Sequence, residues 1–269
     1  METNEIHDIV DLARYPVDAS DTRKGRALIE ACRAALDDKA LCAMPGFVHP
    51  EIVERMVRET EVIAPEAFRT DKPRTAYEYS NEPWPNGHPR TVAHPNRYHQ
   101  LLNYQIPNDS LVRQLYLWEP LCQFLRQVLG YETLYRSACP HLALTVQLGG
   151  PGDCNGWHFD GNDAVFSLLL QQPVLGGSFE YVPNLRSEAD ENYGAVAEVF
   201  ADPEGRVQRP EIAPGTFTLF KGDLSLHHVT EIEDAQKRRI IALFSYDRTP
   251  NQVYQQQYIE ELRGGPRAA

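Results

Sequence analysis

Apolar positions recur at helical spacing in the first half of the chain and at alternate positions in the second. Ala27, Leu28, Ala31, Ala34 and Ala35 fall together behind Ser20-Asp21-Thr22, which predicts a helix from Asp21 to Ala40. Pro45-Gly46 breaks it, and Ile52, Val53, Met56 and Val57 predict a second helix starting near His49-Pro50. Residues 65–108 lose all periodicity and carry many Pro, Asn, Tyr and His, the mark of a long functional loop or lid. Leu111, Leu115, Trp118, Leu121, Cys122, Leu125 and Val128 then predict a strongly amphipathic helix, capped at Asp109-Ser110 and closed by Gly130.

Beyond Gly130 the segments 142–148, 164–171, 177–182, 215–220 and 239–246 read as strands bounded by Gly, Pro or Asp. One short helix, near Glu191 to Ala201, interrupts them. Helices followed by many turn-separated strands predict an α+β protein with a mainly β core, a sandwich or barrel decorated by N-terminal helices. The 269 residues are read as one domain: a helical part over about 1–130, a β core over about 131–250 and a weakly helical, Gln-rich segment 251–269. That last segment would cap the site or form a subunit contact; a homodimer is one option the sequence leaves open.

Composition narrows the partners. Against 38 Asp and Glu stand 26 Lys and Arg, a net charge of −12 with no basic stripe, which disfavours nucleic acid and acidic membranes as partners. No apolar run approaches the ~20 residues of a membrane helix. The acidic N-terminus lacks a signal core, so a cytoplasmic protein acting on a small molecule is expected. The five cysteines (Cys32, Cys42, Cys122, Cys139, Cys154) include no Cys-x-x-Cys pair and read as reduced thiols, mostly in the core.

The candidate chemistry lies in Gly156-Trp-His-Phe-Asp160 and Leu226-His-His-Val-Thr230. On a strand, residues two apart face one side, so His158 and Asp160 can offer an imidazole and a carboxylate to one metal. A histidine from a neighbouring strand would complete a 2-His-1-carboxylate face with positions open for oxygen chemistry. By itself the pair is weak: with 9 His and 38 acidic residues in 269, His-x-acid arises by chance about once. His49-Pro50-Glu51 is such a chance pair, at a helix start. Context strengthens the His158–Asp160 pair, because it follows the Gly149–Asp153 turn and precedes a strand. Arg239 opens a strand that is otherwise apolar as far as Ser245, and an arginine there needs an anion, either a structural carboxylate or a ligand.

Together these stretches resemble the Fe(II)/2-oxoglutarate-dependent oxygenases, and more narrowly the BesD/HalD-type amino-acid halogenases and hydroxylases. The resemblance also runs through Tyr98–Pro107, Gly176–Arg186, Pro214–Phe220 and Arg239–Asp247, covering about residues 98–247. It implies a double-stranded β-helix (jelly roll) flanked by helices. It further implies Fe(II) held by His158, Asp160 and His227, with Arg239 binding the distal carboxylate of 2-oxoglutarate. The adjacent His228 and Arg238 are the competitors for two of these roles, and the family pattern selects His227 and Arg239.

In the halogenating relatives the carboxylate position is a small residue that leaves room for chloride. Asp160 fills it here, so the resemblance implies hydroxylation, with desaturation or cyclisation as outcomes of the same chemistry. Relatives act on free amino acids such as lysine, which implies an amino acid or derivative, although a lysine-binding set is not carried over. Candidate substrate contacts are Asn162, Asp163, Ser245, His141 and Arg74. A zinc hydrolase would use the same two histidines and aspartate without needing Arg239, and a non-catalytic jelly roll would bind a ligand without turnover.

Overall fold

The second and third helices form where the apolar spacing places them, and a short helix precedes them. The structure is a computed structural model that describes residues 3–77, 83–161, 165–234, 236–254 and 259. After α1 (Thr3–Ile9), α2 spans Arg23–Lys39 and buries Ile29, Cys32 and Leu36. The Thr22 hydroxyl caps α2 by accepting from the Gly25 N–H at 3.1 Å. Helix α3 (Pro50–Ile63) begins on a proline, whose fixed φ suits a first turn.

The single helix expected over 109–130 is two, α4 (Leu111–Leu117) and α5 (Glu119–Leu129), with Trp118 extended between them at φ −69°, ψ 113°. Pro120 is the cause: it has no N–H for the Tyr116 carbonyl and its ring clashes there. That carbonyl instead accepts from the Tyr246 hydroxyl at 3.3 Å. Helix α6 covers Tyr193–Ala201. Among the described residues, no helix is long and apolar enough to cross a membrane.

The strands, in chain order, are β1 (Leu41–Met44), β2 (Phe68–Asp71), β3 (Arg97–Leu101), β4 (Tyr135–Arg136) and β5 (Leu144–Gly149). There follow β6 (Asn155–His158), β7 (Val165–Gln171), β8 (Leu175–Gly176), β9 (Phe179–Val182) and β10 (Phe217–Phe220). Last come β11 (Leu226–Val229), β12 (Ile232–Asp234), β13 (Arg239–Phe244) and β14 (Tyr246–Asp247). A seven-stranded antiparallel sheet runs β1-β10-β7-β13-β5-β3-β2, and β6-β11-β9 form a smaller sheet of three. This is the expected mainly β jelly roll with N-terminal helices.

Three strands of the large sheet lie in the part of the chain read as helical or irregular. β1, β2 and β3 extend the sheet at both edges, and β2 and β3 come from the 65–108 stretch read as a loop. With four or five residues each, they are too short for an alternating pattern to stand out.

The two faces of the large sheet differ. On β13, Ile240, Ala242 and Phe244 are fully buried against Leu144, Val146, Leu148, Phe217 and the helices. Arg239, Ile241 and Leu243 alternate with them and are only partly buried. The dense core therefore lies outside the large sheet, under the helices, and the opposite face is left to line a cleft. The five cysteines are free thiols and four of them are buried.

Candidate metal centre and its cleft

Pairing in the small sheet brings the chemistry together. On β6 and β11, His158 lies opposite His227 in register, with ring centroids 4.0 Å apart. Strand β6 ends at His158, so Asp160 is held in a turn rather than by strand alternation. Its backbone N–H donates to the Gly222 carbonyl at 2.9 Å, and that of Phe159 donates to Ala76 at 2.8 Å. The result still faces one side: His158 Nε2 is 3.5 Å from Asp160 Oδ1 and His227 Nε2 is 3.5 Å from Oδ2. Ligand atoms of all three residues lie within 4.8 Å of one another, the separation one ion can bridge.

The rings are pre-oriented. His158 Nδ1 lies 2.8 Å from the Gly156 carbonyl and His227 Nδ1 lies 2.9 Å from the Ser225 carbonyl. Each Nδ1 thus carries its proton toward backbone oxygen and leaves an Nε2 lone pair facing Asp160. Phe220 packs edge-on against the His227 ring at 4.9 Å. Burial, helped by the charges of Arg74 and His227, holds the His158 pKa down at about 3, so this imidazole is neutral at physiological pH. Burial opposes the charge on Asp160, but the two facing imidazoles, His227 foremost, hold its carboxyl well below the ordinary range.

The neighbouring histidine faces the other way. His228 stacks on Trp157 at 3.7 Å, and its Nε2 lies 3.0 Å from Glu180 Oε2 on the outer face of the small sheet. The two adjacent arginines divide similarly. Arg238 meets Glu61 at 3.5 Å on the surface, whereas Arg239 lines an open cleft with Tyr98, Gln147, Asn155, Val229 and Ile232. Arg239 has no ion pair or hydrogen bond among the described residues, and loss of solvent lowers its pKa to about 10.

The cleft and the His-Asp-His cluster adjoin. Asn155 and Val229, at the Arg239 end, pair across β6 and β11 three and two residues from His158 and His227. At ~3.3 Å per residue, the imidazoles lie about 7–10 Å along the ladder from the cleft residues.

Other sequence candidates distribute unevenly. Arg74 pairs through its backbone with His94, and its Nη1 reaches Asn155 Oδ1 at 3.4 Å. Its stem crosses β6 where Gly156 has no side chain; a Cβ there would sit 3.3 Å from Arg74 Cγ. Arg74 is therefore at the centre. Ser245 and His141 are not. Ser245 has the same parity as Arg239 but lies six residues further on, just past the end of β13 and about 20 Å away.

Ser245 Oγ meets the Tyr254 hydroxyl at 3.0 Å, and the His141 ring packs edge-on to Tyr104 at 5.4 Å, both at the far end of the sheet. The same end receives Tyr254 and Ile259 of the C-terminal segment, against Phe68, Leu102 and Leu142. Asn162 and Asp163 lie outside the described residues. Tyr98 and Gln147 of the cleft were not singled out from sequence, since both sit on strands with nothing to mark them; only their alternation on β3 and β5 points to this face.

Comparison with known proteins agrees with this architecture. The family described as halogenase D (HalD) matches residues 25–261. The carbocyclase SnoK from nogalamycin biosynthesis, a non-heme alpha-ketoglutarate-dependent enzyme, superposes with a TM-score of 0.55 at 13% identity, over 81% of this chain and 83% of that one. A 2OG-Fe(II) oxygenase family protein from Burkholderia pseudomallei gives 0.51 at 12% identity, over 82% and 91%. A prolyl hydroxylase from Trichoplax adhaerens, solved with a hypoxia inducible factor peptide fragment, gives 0.53 at 12% identity, over 98% and 96%. No match is found among curated protein sequences. With most of its length matched, the chain belongs to the halogenase D family.

Proposed function

We propose that this chain is a dioxygenase that hydroxylates an unactivated C–H bond of a small polar molecule, a free amino acid or derivative. His158, Asp160 and His227 would hold Fe(II), and Arg239 would bind the distal carboxylate of 2-oxoglutarate. The observation that carries the reading is the combination of a buried, ring-oriented His-Asp-His face with an arginine in the adjoining cleft that has no partner among the described residues. A hydrolytic zinc site has no use for that arginine. The donor set fits the metal: two neutral imidazole nitrogens and one carboxylate suit iron and leave further positions open. Asp160 Oδ2 is buried without a hydrogen-bond donor among the described residues, as expected of an atom reserved for a cation.

When bound, Fe(II) with 2-oxoglutarate and O2 supplies the oxidising power for C–H hydroxylation, the keto acid leaving as succinate and CO2. The chain's own residues bind, orient and shield. The Gly156 and Ser225 carbonyls fix the imidazole tautomers, and Phe220 holds the His227 ring. Asp160 occupies the carboxylate position, which favours hydroxylation over halogenation. Arg74, beside His158 and without an acidic partner among the described residues, is suited to a substrate carboxylate.

Anaerobic titration with Fe(II) and then 2-oxoglutarate should develop a weak visible charge-transfer band, weakened in Asp160→Ala and Arg239→Ala. Succinate release screened over amino acids and derivatives should then identify substrates whose KM rises in Arg74→Ala while the 2-oxoglutarate KM does not. Stoichiometric Fe(II) binding with no band on adding 2-oxoglutarate would refute the reading.

A further inference from the structure

We infer that Gly222 is a positioning residue for the metal centre: its missing side chain makes the space in which the Asp160 carboxylate sits between the two histidines. The inference rests on the metal-site reading above. A Cβ built at Gly222 would lie 1.9 Å from Asp160 Oδ2, 2.7 Å from Cγ and 3.2 Å from Cβ. These are its three nearest neighbours, so the Asp160 side chain is what a side chain here would strike first. The backbone does not explain the glycine, because Gly222 is not among the residues at positive φ and another residue could adopt its conformation. Requirement for glycine here is therefore steric, and the atom it makes room for is a metal ligand.

The turn carrying Gly222 cannot readily yield. Lys221 N–H donates to the Ala40 carbonyl at 2.9 Å, the Gly222 carbonyl accepts from Asp160 N–H at 2.9 Å, and the Arg186 N–H donates to Leu224 at 3.1 Å. The Arg186 side chain adds a hydrogen bond from Nε to the Asp223 carbonyl while its guanidinium lies 4.2 Å over the Phe159 ring. Phe159 stands between two of the proposed ligands. Arg186 therefore clamps the turn onto the very segment whose carboxylate it abuts. The softer partner is the Asp160 side chain, and a methyl at 222 would rotate it out of the face it shares with His158 and His227.

The test uses full-length protein and Co(II), a redox-stable stand-in for Fe(II), with Gly222→Ala, Asp160→Gly and the double variant. In Gly222→Ala, Co(II) affinity should fall about 10- to 100-fold, the scale on which supporting residues act on a metal. The Co(II) visible spectrum should move toward that of Asp160→Gly, which a merely structural role would not produce. In the Asp160→Gly background the same substitution should change affinity less than twofold, since the atoms it strikes are gone.

If Gly222→Ala does not fold, the double variant should, with the melting temperature of Asp160→Gly. A double variant that also fails to fold would overturn the inference. So would Gly222→Ala protein that binds Co(II) with wild-type affinity and spectrum, while leaving the metal-site reading intact. Wild-type protein that binds no Co(II) or Fe(II) would remove both.

Discussion

Replacing Arg239 by glutamine separates a ligand-binding arginine from a structural one. The guanidinium lies against the cleft wall with its Cδ beside Gly177 and its Cβ beside Gly149, and no carboxylate among the described residues answers it. Desolvation brings its pKa from 12.5 to about 10, which corresponds to about 3 kcal/mol against the charged form. At neutral pH that charged form is the one present, so the unliganded protein carries the penalty. Removing the charge should leave the apo protein no less stable, with the gain partly offset by lost contacts of the arginine stem.

Ligand binding should respond in the opposite direction. Two charge-assisted hydrogen bonds to a carboxylate contribute about 3–5 kcal/mol, so 2-oxoglutarate affinity should fall about 10²- to 10⁴-fold in Arg239→Gln. Calorimetric titration of the Co(II)-loaded protein measures the affinity, and urea unfolding of the apo protein measures the stability. A variant destabilised by more than about 2 kcal/mol that binds 2-oxoglutarate as tightly as wild type would refute the reasoning.

Asp160→Ala should fold normally without metal, because its carboxylate meets mainly the two imidazoles and Gly222, and should lose Fe(II) affinity about 100-fold or more by equilibrium titration. His94, beside Phe200, has its pKa lowered to about 4 by burial and by the charges of His228 and Arg74. Between pH 6.5 and 4 the unfolded chain therefore takes up a proton that the folded chain refuses. Apo stability should fall by about 2 kcal/mol over that window on account of this residue, after discounting for solvent at a half-buried site, and His94→Phe should remove that part of the acid sensitivity in urea titrations at the two pH values. Phe217, fully buried between Phe47 and Phe244, should cost about 3–5 kcal/mol on truncation to alanine, read as a lowered urea midpoint.

Much of the architecture was legible because it rests on local periodicity. The strands β7, β9, β10 and β13 fall within segments read from alternation, β5 overlaps its segment with a shift at each end, and α2 and α3 follow the apolar spacing of their sequences. The misreadings have local causes as well. Pro120 splits one amphipathic pattern into α4 and α5, and four-residue strands such as β2 carry too few positions to declare themselves. Parity placed Ser245 on the face of Arg239, but parity carries no information about distance along the strand. That is why Ser245 ends beside Tyr254, at the opposite end from the cleft.

By itself, the sequence determined which residues could do the chemistry and the mainly β class in which they sit, since residue type and alternation are properties of the chain read in order. It could not determine how the small sheet pairs. The β6–β11 register sets His158 against His227 and turns His228 toward Trp157 and Glu180. Nor could it show that Arg238 finds Glu61 while Arg239 finds no partner among the described residues, or that the backbone at Gly222 closes on Asp160. Each of these joins residues far apart along the chain, and a contact of that kind exists only once the sheets have formed.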